Sequence, residues 1–121
     1  MSPLQHVPTA EDLKAAQARI AAYVHRTPVF QSQKFDNKAG ASVIFKGEHL
    51  QKTGAFKARG AMNAVLINQE HAKGRGFVTH SSGNHGAALA WAASNIGEKA
   101  HIIMPSNAPK AKIEAVRSYG G

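Results

Sequence analysis

Residues 77–121 read FVTHSSGNHGAALAWAASNIGEKAHIIMPSNAPKAKIEAVRSYGG, and their order of elements decides the fold. Phe77-Val78-Thr79 is a short apolar strand, and Ser81-Ser82-Gly83-Asn84-His85-Gly86 is a polar, glycine-bearing turn. An alanine-rich helix is expected over 87–95, with Gly97 as the residue just past its end. A strand over 100–104 stops at Pro105, and a second helix over 108–119 runs into Gly120-Gly121. Strand, helix, strand, helix at this spacing predicts a parallel sheet in an α/β fold. Trp91, inside the alanine-rich helix, is expected in the core.

Upstream, the punctuation is looser. Thr9 before Glu11 and Asp12 reads as a hydroxyl N-cap followed by acids in the first turn. The helix it opens carries Leu13, Ala16, Ile20 and Tyr23 at helical spacing and is expected to stop at Thr27-Pro28. Residues 41–46, ASVIFK, read as a strand, and 47–56 as a loop with two glycines. A helix over 56–68 follows, and Gly74 and Gly76 break the chain before Phe77.

The bulk numbers exclude several classes of function. With 121 residues, 43% hydrophobic and 18% charged, the chain suits one globular unit and not a disordered one. It has no cysteine, so disulfides and thiolate metal sites are ruled out. No run approaches the ~20 apolar residues of a membrane span. The first residues lack the basic-then-apolar pattern of a secretory leader, so a cytoplasmic protein is expected. The net charge of +8 raises the question of a nucleic-acid partner. The basic residues are scattered, without a block or interleaved aromatics, so none is expected.

Two segments carry chemistry. Lys57 follows Gly54-Ala55-Phe56 and opens a helix, where the dipole disfavours its ammonium form. Desolvation by a buried Phe56, with Lys52 and Arg59 nearby, would push the same way and make the amine a better nucleophile. A solvated helix start explains the same three charges. The 81–86 turn sits beyond the carboxyl end of a strand and leads into a helix, a place suited to a carboxylate or phosphate. An ordinary capped helix with Gly83 at positive φ is the alternative. His85 belongs to this loop, and no histidine spacing typical of a metal site is present.

Together these segments resemble the serine racemase and serine/threonine dehydratase family of pyridoxal phosphate (PLP) enzymes, of fold type II (tryptophan synthase β-like). Residues 48–64, EHLQKTGAFKARGAMNA, look like its lysine motif, and 79–86, THSSGNHG, like its substrate loop. Arg26-Thr27-Pro28 and Met104-Pro105 are similar punctuation, and the resemblance runs from about residue 13 to 121.

The resemblance implies a three-layer open parallel sheet, with residues 1–76 in the large cofactor domain and 77–121 as the first half of a small domain. It implies that Lys57 carries the Schiff base to PLP and moves protons at the substrate α-carbon. Phe56 would flank the cofactor ring, and Asn84 would hydrogen-bond its 3′-oxygen. Ser81, Ser82, Asn84 and His85 would hold the substrate carboxylate, and Ser82 would be the acid–base group on the face opposite Lys57.

The implied reaction removes the β-hydroxyl of serine or threonine and ends in ammonia and a 2-oxo acid. Reprotonation on the other face gives racemisation. Biosynthetic threonine dehydratases tend to carry alanine where Ser82 stands, which tilts the expectation toward a racemase-like or catabolic member. The family's nucleotide site would map partly onto Ser32, Lys52 and Thr53, but Gln33 and Lys34 depart from it and argue against ATP regulation. The glycine-rich phosphate loop, the pyridine partner and the carboxylates for a divalent cation are not in these residues. The expectation is therefore an N-terminal fragment of a longer, homodimeric enzyme.

Overall fold

The computed structural model describes residues 7–121. Residues 1–6, which carry part of the leader reading, lie outside the described residues. Among the described residues no helix is long and apolar enough to cross a membrane.

Helix α1 (Ala10–Ile20) starts as its sequence demands. Thr9 Oγ1 accepts from the Asp12 N–H at 3.2 Å, and the Asp12 carboxylate accepts from the Thr9 N–H at 2.7 Å, a reciprocal capping box. The helix stops at Ile20, short of Thr27-Pro28, and the Tyr23 and Val24 N–H groups close a turn onto the Ile20 carbonyl. Of its apolar stripe only Ile20 is buried, and Leu13 is exposed.

In the segment before Lys57 the expected strand over 41–46 forms at Ile44–Lys46, beside elements that the sequence did not announce. Strand β1 (Val29–Gln31) pairs antiparallel with β2 (Ile44–Lys46), aligning Phe30 with Phe45, and helix α2 (Gln33–Ala39) connects them. This ladder is separate from the parallel sheet. Gly40 ends α2 with φ +65°, and Phe35 packs edge-on against Phe45 with ring centroids 5.1 Å apart. Two short 3-10 turns, Glu48–Leu50 and Lys52–Gly54, then lead to α3 (Lys57–Ala72). Helix α3 runs past Asn68 because no breaker stands before Gly74, and Ala72 is still buried.

The decisive stretch folds as its spacing predicts. Strand β3 (Phe77–His80), helix α4 (Asn84–Asn95), strand β4 (Ala100–Ile103) and helix α5 (Lys110–Ser118) form a β-α-β-α run, with β3 and β4 parallel and Phe77 opposite Ala100. Gly97 takes φ +75° just past the α4 C-cap, Ile96. Phe77, Ala100 and Ile102 turn into the core, whereas Val78 and Ile103 on the other sheet face are exposed.

Helix α4 is the centre of the molecule. Gly86 to Ala93 are all buried, including Trp91, as expected for a helix apolar on every side. Helix α3 lies along it through Ala58, Ala61, Met62 and Val65, and Val116 of α5 joins the same core. The small side chains allow close backbone approach: a Cβ on Gly86 would stand 2.7 Å from Ile102 Cγ2. This core crosses the Gly76/Phe77 junction.

Candidate active site

Lys57 is the first residue of α3. Its Nζ lies 5.1 Å from the centre of the Phe56 ring. It makes no hydrogen bond or ion pair among the described residues, and its side chain is exposed. Phe56 is 59% exposed, so the desolvation expected from that ring is not supplied within this chain.

The backbone beneath Lys57 is fixed by a polar network that sequence reasoning missed. Arg59 makes a two-pronged pair with Glu48, Nε to Oε2 and Nη2 to Oε1, each at 2.8 Å. The same guanidinium donates to the His25 carbonyl at 3.2 Å, and the buried Thr27 hydroxyl donates to Glu48 Oε1. Charge-assisted, bidentate pairs of this kind are the strong ones. The Arg59 hydrogen bonds hold the Glu48 carboxyl at about 2, below its ordinary 4.5, against the opposing effect of desolvation. Glu48 in turn raises the Arg59 guanidinium above its usual value.

Gln51, 4% exposed, accepts from the His25 and Lys52 N–H groups and donates to the His25 carbonyl at 2.8 Å. Residues 25–27 and 48–59 are thereby sewn together. Thr53 inside this loop takes φ +58°, a strained value for a β-branched residue, and its buried hydroxyl has no partner.

The start of the 81–86 loop is held by the Ser81 side chain. Ser81 Oγ accepts from the Gly83 N–H at 3.2 Å and from the Gly86 N–H at 3.0 Å, doing the work of an N-cap for α4. Gly83 takes φ −167°, so the positive φ of the ordinary capped-helix alternative is not adopted. Ser82, Asn84 and His85 are exposed, and Asn84 Oδ1 accepts from Lys112 Nζ at 2.7 Å. No hydrogen bond joins Lys57 to this loop among the described residues. The link is the core, where Ala58 beside Lys57 and Ala87 beside Gly86 share one cluster. The turn Lys52–Gly54 also packs on α4.

A groove of about 790 Å³ lies elsewhere. Leu13, Ile20, Val24, Lys46, Arg59 and Asn63 line it between α1 and α3, and it includes none of the expected site residues. Chemistry outranks volume in choosing the site: an uncommitted amine and a polar loop at a helix N-terminus are where a reactive carbonyl ligand would be held.

A primary amine opening one core helix and a carboxamide opening another, set on an α/β frame, are compatible with one class, the lysine-anchored cofactor enzymes. The comparisons make this specific. Residues 20–121 match the model of the pyridoxal-phosphate-dependent enzyme family, and the chain belongs to that family. It is 50% identical over 109 residues to a serine racemase of Oryza sativa subsp. indica, covering 90% of this chain and 32% of that protein. It is 44% identical over 114 residues to an L-threo-3-hydroxyaspartate ammonia-lyase of Saccharomyces cerevisiae, covering 94% and 35%. The solved structure of maize serine racemase superposes with a TM-score of 0.91 at 49% identity, covering 96% and 35%. The fold is thus that of the fold-type II enzymes, and the chain spans about a third of the length of these relatives.

The donor set fits PLP: a free amine for its aldehyde carbon and a carboxamide for its ring oxygen. None of Ser82, Asn84 and His85 is sealed off by packing.

Proposed function

We propose that this chain carries the Schiff-base lysine and substrate loop of a PLP-dependent dehydratase of L-threonine and L-serine. Its products are a 2-oxo acid and ammonia, and the same site would racemise serine. The observation that carries this reading is Lys57: an exposed amine without an ion-pair partner among the described residues, at the head of α3, on a backbone clamped by Glu48 and Arg59. When bound, PLP supplies an electron sink for the charge left at the substrate α-carbon.

The chain's own residues would do the rest. Lys57 holds the cofactor through Nζ and moves the α-proton on one face, with Phe56 beside the ring. Ser82 offers a hydroxyl to the opposite face. The Asn84 carboxamide would hydrogen-bond the ring oxygen. Ser81 Oγ already accepts two N–H groups, so its own hydrogen is the one it can donate to the substrate carboxylate, alongside Ser82, Asn84 and His85.

The substrate class is a small hydroxyamino acid, in keeping with relatives that are a serine racemase and a hydroxyaspartate ammonia-lyase. For the whole protein we propose a cytoplasmic homodimer, with residues 1–76 in its large domain and 77–121 beginning the small one. Any divalent cation would be held outside this chain.

Borohydride reduction in the presence of PLP, followed by peptide mapping, tests the central claim. The tag is expected on Lys57 and lost in Lys57→Ala; a tag on another lysine overturns the assignment. Product analysis with serine, threonine and O-acetylserine then separates a dehydratase or racemase from a β-substituting synthase.

A further inference from the structure

Lys112, on the first turn of α5, reaches across to the start of α4. Its Nζ donates to Asn84 Oδ1 at 2.7 Å, and its Cδ and Cε stand 4.0 Å from the point a Cβ of Gly83 would occupy. The lysine stem therefore lies over Gly83, on the loop proposed to meet cofactor and substrate. Two features make this placement informative. An ammonium has donors only, so the Asn84 atom facing it must be the oxygen and the amide orientation is fixed. A cation beside a helix N-terminus also works against the dipole. The first turn of α4 holds no acid, and Lys112 makes no ion pair among the described residues. The local electrostatics favour an incoming anion.

We infer that Lys112 is a positioning residue: it locks the Asn84 carboxamide so that its Nδ2 hydrogens, and not its oxygen, face the ring oxygen of PLP. The inference rests on the proposed function, because it needs Asn84 to meet that oxygen. Without Lys112 the carboxamide is free to rotate, and half of its orientations set two acceptors against each other. The added positive charge also favours the ring oxygen in its ionised form.

The test compares PLP with its 3-deoxy analogue, which lacks that oxygen, in equilibrium titrations of the full chain. Lys112→Met is expected to weaken PLP binding about tenfold, the scale of one hydrogen bond to a charged group. It should leave the 3-deoxy analogue unchanged, and Lys112→Arg should restore most of the loss. In the ligand-free chain, the Asn84 side-chain NH2 resonances should move in Lys112→Met while the backbone resonances of α4 and α5 stay in place. Equal weakening of both ligands, or unmoved Asn84 resonances, overturns the inference. Failure of the wild-type chain to take the borohydride tag on Lys57 removes the proposed function itself, and the inference with it.

Discussion

The two loops that carry the proposed chemistry are built on opposite plans. The loop before Lys57 is tied by long-range side-chain bonds: Arg59 to Glu48, Arg59 to His25, Gln51 to His25 and Thr27 to Glu48. It also stores strain at Thr53. The 81–86 loop is tied mainly locally, by one hydroxyl onto two N–H groups, with one long-range side-chain bond, from Lys112 to Asn84, and otherwise leans on the packing of the helix it opens. A clamped amine meets a lightly held polar turn. In the proposed function the covalent anchor would stay in place, and the loop that would grip and release a substrate is the part with fewer bonds to break.

This contrast can be broken from either side. The largest effect is expected from Arg59→Ala, which strands Glu48 among Thr27, Lys46 and the loop backbone. It should cost about 3 kcal/mol, read as a shift in the denaturant midpoint. The pH dependence sharpens it. Because the folded Glu48 carboxyl sits at about 2, below 4.5, its contribution is present above pH 4.5 and fades as pH falls toward 2. That acid-linked loss should be much reduced in Arg59→Ala, where only Thr27 and Lys46 still favour the carboxylate; if both proteins lose stability alike over this range, the clamp is not what sets it.

Gly86→Ala attacks the other loop through its helix. The new Cβ would stand 2.7 Å from Ile102 Cγ2, and overpacking of about 3 kcal/mol, less about 1 for better helix propensity, leaves a net loss near ~2 kcal/mol by thermal unfolding. The smallest effect is Ser81→Ala. It removes the acceptor for the Gly83 and Gly86 N–H groups and should cost about 1 kcal/mol, with faster exchange of those two amides. A loss as large as that of Arg59→Ala would mean the two loops are not differently built.

What was legible in the sequence follows the same division. The β3-α4-β4-α5 run could be read because each element is specified by neighbours in the chain: the strand pattern at 77–80, the buried alanine run, Gly97 and Pro105. The Thr9 capping box is equally local. Of the β1–β2 ladder only β2 was read, within the strand over 41–46; β1 was missed because its three residues are exposed and lack an apolar alternation, and α2 because it buries no residue at all. Arg59 was read only as a charge near Lys57, since nothing at its position announces a carboxylate 11 residues back or a hydroxyl 32 back. Lys57 and the 81–86 turn were visible as motifs, but the exposure of Phe56 and the bond from Lys112 to Asn84 depend on packing that spacing does not encode.

The buried helix α4 has a consequence for motion. Its backbone from Gly86 to Ala93 is enclosed on every side, so those amides should exchange with solvent only when the whole domain opens. A ligand tugging on Asn84 therefore pulls on the end of the stiffest rod in the molecule. The response open to such a rod is to tilt as one piece, carrying the α3, α5 and sheet side chains packed on it, so that an event at exposed loop side chains would be passed into the core they share.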